Sequence, residues 1–124
     1  HAHAYNALGY PLADRTPRLA EAMELLQKAL QLAPNDPFIQ DSMGWALYRG
    51  GRLTEAEGYL KRAYAARPDP EIAAHLGEVL WQQGRQDEAF RLFGEVAKSN
   101  AKAYKSLALM QQGGLTLTKP GLAR

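Results

Sequence analysis

Apolar residues in this chain recur at intervals of three, four and seven, the signature of one helical face, in six successive stretches. The spacing predicts helices near 3–13, 17–32, 37–49, 53–66, 70–83 and 86–98. These fall into pairs, because the first member of each carries the same series: Tyr5, Leu8, Gly9, Leu12, then Gln40, Met43, Gly44, Leu47, then Ala73, Leu76, Gly77, Leu80. An alanine follows each glycine after thirteen, twelve and twelve residues, at Ala22, Ala56 and Ala89. Leu26 and Ala29, Leu60 and Ala63, and Phe93 and Val96 then continue the second helices, and Pro34, Pro68 and Ala101 stand twelve residues after the alanines. Glycine and alanine at fixed places on paired helices predict close backbone approach, with the large residues beside them filling the remaining space. A period of this length is the mark of a solenoid, in which each helix pair buries its apolar face only against a neighbour.

Local chemistry divides the chain at the same points. Asp36 before Pro37 and Asp69 before Pro70 each place a capping carboxylate ahead of a proline suited to the first helical turn, and Thr16 before Pro17 is expected to act likewise. Pro34 and Pro68 stop the preceding helices, while Gly50, Gly51 and Gly84 mark turns within pairs. The first pair has one extra residue in its turn, around 13–16. Beyond the third pair, Ala101, Tyr104, Leu107 and Ala108 predict a further amphipathic helix over about 101–112, either a cap on the solenoid or the worn first helix of a fourth unit. Residues 113–124 have no helical pattern and read as a flexible tail.

This series of Leu or Met before Gly, then Ala, Leu or Phe, Ala and Pro resembles the tetratricopeptide repeat. The resemblance implies an all-α superhelix, a single domain over 1–112 with repeats at about 2–35, 36–69 and 70–101. Val96 and Ala101 depart from the usual small residue and proline, as expected of the last unit in an array. More narrowly, the runs 41–49 and 68–81 resemble the carboxy-terminal repeats of Gram-negative envelope lipoproteins with tetratricopeptide repeats. Some of these are adaptors that recruit a carboxyl-terminal processing protease and its substrates. That resemblance implies a periplasmic, outer-membrane-associated setting; the residues themselves leave a cytoplasmic one equally open.

On a helical wheel, Phe38, Asp41, Trp45, Tyr48 and Arg49 centre roughly 130° from Gln40 and the glycine face. In tetratricopeptide arrays this second face lines the concave groove, so the resemblance implies a partner-binding strip of Tyr10, Phe38, Asp41, Trp45, Tyr48, Arg49, Glu71, Glu78 and Trp81. Large aromatics with few torsions suit peptide capture. Equally, Trp45 and Trp81 could be packing residues between units, and the charged positions a solvated rim. The Lys, Arg and Asn set by which chaperone-binding members clamp a terminal carboxylate is missing, so that mode is not expected.

Composition changes this picture little. Fifteen Lys and Arg against 13 Asp and Glu, net +2 and scattered, give no field for tracking phosphates, so nucleic acid is not an expected partner. With no cysteine, thiolate chemistry and disulfides are excluded and the redox compartment stays undecided. No stretch is long and apolar enough to span a bilayer. The chain starts at His1 with helical periodicity already running by Tyr5, and so reads as a piece of a longer protein. His1 and His3 lack a third ligand; His75, flanked by Glu71 and Glu78 at helical spacing, reads as a packing residue before a metal or acid-base site. No cofactor, no metal and no catalytic constellation is expected. The function expected is a scaffold or adaptor that binds a peptide or protein in its groove. The alternative is an assembly module that forms a homodimer or docks onto further repeats.

Overall fold

The computed structural model describes residues 1–98, and among these every regular element is helical. The expected helix covering 101–112 and the tail 113–124 lie outside the described residues. Two compact units result, divided after Arg67. The first holds α1 (Ala2–Leu12), a 3-10 turn (Thr16–Arg18), α2 (Leu19–Leu32), α3 (Pro37–Arg49) and α4 (Leu53–Ala66); the second, from Pro68, holds α5 (Pro70–Gln82) and α6 (Gln86–Ala97).

The first helices of the second and third pairs, α3 and α5, start and stop for local reasons. Asp36 accepts from the backbone N–H groups of Phe38 (2.9 Å) and Ile39 (3.2 Å), and Asp69 accepts from Glu71 N–H (2.8 Å). These bonds satisfy donors with no intrahelical partner, and Pro37 and Pro70 occupy the first turn where a missing N–H costs nothing. At the far ends Gly51 and Gly84 both take φ +80°, a region that a Cβ disfavours. Arg52 N–H reaches Leu47 O and Gly51 N–H reaches Tyr48 O, at 2.9 Å each. Arg85 N–H to Leu80 O (2.9 Å) and Gly84 N–H to Trp81 O (3.0 Å) repeat the arrangement, two identical Schellman closures.

The first pair turns differently, which corrects the expected start of its second helix. Its connection has no glycine and an additional residue, and the chain descends through single turns, Ala13 N–H to Tyr10 O, Asp14 N–H to Pro11 O and Arg15 N–H to Leu12 O. Thr16–Arg18 is therefore a 3-10 turn, and α2 begins only at Leu19, with Arg18 at its N-cap. Pro11 sits inside the last turn of α1, where it removes one backbone donor.

Packing within the pairs follows the glycine series. A Cβ placed on Gly9 would lie 3.0 Å from Leu26 Cγ, and one on Gly44 would lie 2.6 Å from Leu60 Cγ. On Gly77 it would collide with the end of the Phe93 ring. Leu26, Leu60 and Phe93 are themselves fully or almost fully buried, as are the alanines and Val96 that flank them in each second helix. The side chain on one helix takes the volume the glycine leaves empty on the other, and each such burial contributes on the order of 1.5–3 kcal/mol.

A repeated ion pair fastens the start of every second helix. Arg18, Arg52 and Arg85 occupy the N-caps and fork onto the carboxylates three residues on, Glu21, Glu55 and Glu88, with closest distances of 2.7, 2.8 and 2.7 Å. The carboxylates also face the positive helix end. The bond from Arg52 holds the Glu55 carboxyl below its ordinary value, while Glu21 and Glu55 raise Arg18 and Arg52.

Two measurements test these devices. Gly77→Ala is expected to destabilise the chain by about 1–3 kcal/mol in urea unfolding, because the rigid buried Phe93 ring cannot withdraw. Gly94→Ala, where an added Cβ meets nothing within 4 Å, is expected to be neutral or to stabilise by about 0.5–1 kcal/mol. For the ion pair, Glu55 has a lowered folded-state value, so its contribution is complete above the unfolded carboxylate range and is lost as pH falls through that lowered value. Thermal midpoints of Arg52→Gln are expected to fall less than those of the parent chain across that acidic window; equal slopes would show that the pair contributes nothing.

Candidate functional site

The nine residues expected to line a groove fall into different environments. In the first unit, Phe38 is exposed (42%) and the Arg67 guanidinium lies over its ring, 5.1 Å from the centroid. Tyr10 and Arg49 are half-buried. Trp45 has no exposed surface, Tyr48 3% and Asp41 7%; indeed α3 is buried without interruption from Ile39 to Tyr48. In the second unit Glu71 is exposed, Trp81 half-buried and Glu78 buried. The Trp81 ring meets Phe90 of α6 edge-on at 5.6 Å.

Burial of Trp45 requires a partner for its indole N–H, since an unsatisfied donor away from water costs about 1–3 kcal/mol. Asp14 supplies it. The indole Nε1 donates to Asp14 Oδ1 at 2.9 Å, and Arg49, one turn further along α3, donates through Nη2 to the Asp14 carbonyl oxygen at 3.3 Å. Arg49 Nε also stands 3.8 Å from Asp14 Oδ1. The Trp45 ring tilts against Tyr48 at 5.1 Å between centroids. The expectation of an open aromatic strip thus meets a different arrangement at its centre, where Trp45 is a buried side chain held by the loop between α1 and α2. The helical pattern puts Asp14 on the groove face of the first pair, but a wheel carries no information about its bond to a side chain 31 positions away.

The Arg-x-x-Glu forks also escaped notice, although the signal was present as Arg18 to Glu21, Arg52 to Glu55 and Arg85 to Glu88 in register with the repeat. His75 is buried beside the equally buried Glu78. Among the described residues no three His, Cys, Asp or Glu side chains gather as a metal site would need, and no helix is long and apolar enough to cross a membrane.

Successive helix pairs, each closing on a glycine and recurring at intervals of 35 and 33 residues, define a helical-repeat protein. Residues 1–37 and 42–106 match the model of the tetratricopeptide repeat family, and the chain belongs to that family. It is 60% identical over 78 residues to the TPR repeat-containing protein PA4667 of Pseudomonas aeruginosa, a stretch that is 63% of this chain and 13% of that protein. It is 30% identical over 86 residues to cellulose synthase operon protein C of Pseudomonas fluorescens, of which it covers 7%. The chain therefore spans a small part of the curated relatives it matches. Among solved structures it resembles TTC0263, a thermophilic TPR protein of Thermus thermophilus, with TM-score 0.71, 27% identity and coverage of 92% of this chain and 60% of that one. A mutant of MamA shares the fold at TM-score 0.64 and 22% identity, over 97% of this chain and 73% of that one.

The Asp14 clasp makes a direct expectation. Asp14→Ala leaves the Trp45 N–H without its acceptor and should destabilise by about 1–3 kcal/mol, with a red-shifted tryptophan emission. Asp14→Asn, which keeps an oxygen in place, should retain most of the stability.

Proposed function

We propose that this chain is a protein-interaction scaffold that receives a peptide or protein segment along the second face of its α1- and α3-type helices. The tetratricopeptide fold supports such a role in general. The observation that carries the finer reading is Phe38, an exposed aromatic at the start of α3 backed by the Arg67 guanidinium, in a helix otherwise buried from its third residue to its twelfth. An aromatic and a cation already stacked cost little entropy to bury, and together they favour apolar side chains flanked by carboxylates. Tyr10, Arg49, Glu71 and Trp81 are the other expected positions that retain accessible surface. By the sequence resemblance, a carboxyl-terminal processing protease or its substrates is the partner class to try first, in a periplasmic setting.

A second reading is favoured by Leu8 and Leu32, large apolar residues 61% and 58% exposed in the first helix pair. On that reading they dock onto further repeats or a second copy of this chain.

Two variants separate the readings. Phe38→Ala is expected to weaken partner capture from a lysate of the native organism about tenfold or more with unchanged helical content, as for an interface aromatic. If Leu8→Asp rather than Phe38→Ala abolishes capture, or if the parent chain is a concentration-dependent dimer that Leu8→Asp makes monomeric, the assembly reading holds.

A further inference from the structure

Equivalent positions in the first two helix pairs carry different chemistry. Four residues before each glycine stand Tyr5 in α1 and Gln40 in α3, and one residue before the equivalent alanine stand Lys28 in α2 and Arg62 in α4. In the first pair an aromatic occupies the position beneath a cation: Lys28 Nζ is 5.7 Å from the centre of the Tyr5 ring. In the second pair glutamine replaces the ring. A cavity of about 260 Å³ opens there, lined by Leu30, Pro34, Asn35, Gln40, Tyr59 and Arg62. Arg62 lies over Tyr59, 4.6 Å from its centroid.

Gln40 is 7% exposed and only half satisfied. Its Nε2 donates to Pro34 O at 3.0 Å, and because that carbonyl can only accept, the amide orientation is determined. The opposite atom, Oε1, is buried with no hydrogen-bond partner. Gln40 lines the cavity, so this oxygen is an acceptor on offer to an N–H that enters it. The cavity therefore combines three demands: a flat apolar body for the Leu30, Pro34 and Tyr59 walls, a π-face for the Arg62 guanidinium, and one N–H donor for Gln40.

We infer that this cavity is a binding slot for the indole side chain of a tryptophan on a partner polypeptide. Indole is flat, has the strongest π-face for a cation among the side chains and carries a single N–H. Gln40 and Phe38 are two residues apart on α3, about 200° around the helix, and the inference does not depend on the role proposed for Phe38.

The test is a titration of the 124-residue chain with N-acetyltryptophanamide, followed by amide NMR. Saturable shifts are expected at Asn35, the Gln40 side-chain amide and Tyr59, with Kd on the order of a millimolar for so small a ligand. The 1-methylindole analogue, which lacks the donor, should bind roughly tenfold more weakly. Gln40→Tyr should fill the slot, remove the shifts and raise the thermal midpoint; Arg62→Ser, at an exposed position, should weaken binding without altering the fold. Absence of shifts, as for a cavity holding only water, overturns the inference, as do equal affinities for the two analogues or unchanged binding by folded Gln40→Tyr. Free tryptophan binding tenfold tighter than its blocked amide would assign the slot to an amino acid and overturn the polypeptide partner.

Discussion

Close approach between the two helices of a pair is the constraint from which most of this structure follows. It exists because Gly9, Gly44 and Gly77 have no Cβ, and it is enforced because Leu26, Leu60 and Phe93 occupy the space a Cβ would take. Once these contacts are set, the faces of both helices are set, and the connection must span whatever remains. In the two later pairs the partner residue stands sixteen positions after the glycine and a Schellman turn on Gly51 or Gly84 spans the gap. In the first pair the interval is seventeen, and the extra residue is taken up by a 3-10 turn rather than by a shift in packing. A core contact that cannot move pushes irregularity into the loop.

That irregularity then acquires a role. The longer connection carries Asp14, whose carboxylate accepts from the Trp45 indole while its carbonyl accepts from Arg49. A deviation in one repeat thereby positions two side chains in the next, and Trp45 becomes a buried residue tied to a loop. Arg18, Arg52 and Arg85 do the reverse, repeating one ion pair at every second helix so that each starts in the same way. Exposed pairs of this kind add little energy singly, and their effect is to favour one start over its neighbours.

Within the described residues, helix number, pairing and most boundaries were legible in the sequence because they rest on local causes. Period, aspartate caps, prolines and left-handed glycines each act within a few residues, so α3, α4 and the caps at Asp36 and Asp69 match their expected places. The start of α2 did not, because Thr16 and Pro17 promise a helix that the longer connection delays to Leu19. The environment of the aromatics was less readable. A wheel separates two faces of α3 but does not say what covers the second one, and a tryptophan serves equally as an open anchor or a packed core residue. Phe38 and Trp45 lie on the same predicted face, yet one is exposed and the other fully buried.

Equivalent positions divide into two kinds. Those that carry the helix approach vary only within a narrow range of volume, from Leu26 and Leu60 to Phe93, because the glycine opposite limits what fits. Those four residues before the glycine vary widely, from Tyr5 through Gln40 to Ala73, and the position one before the second-helix Ala29, Ala63 and Val96 changes from Lys28 through Arg62 to Glu95. Gln40 and Ala73 are buried all the same, so what differs between the repeats there is the chemistry of side chains held inside the structure. A repeated scaffold acquires individual chemistry at such positions. In this chain Gln40 both lines a cavity and holds an unsatisfied buried oxygen.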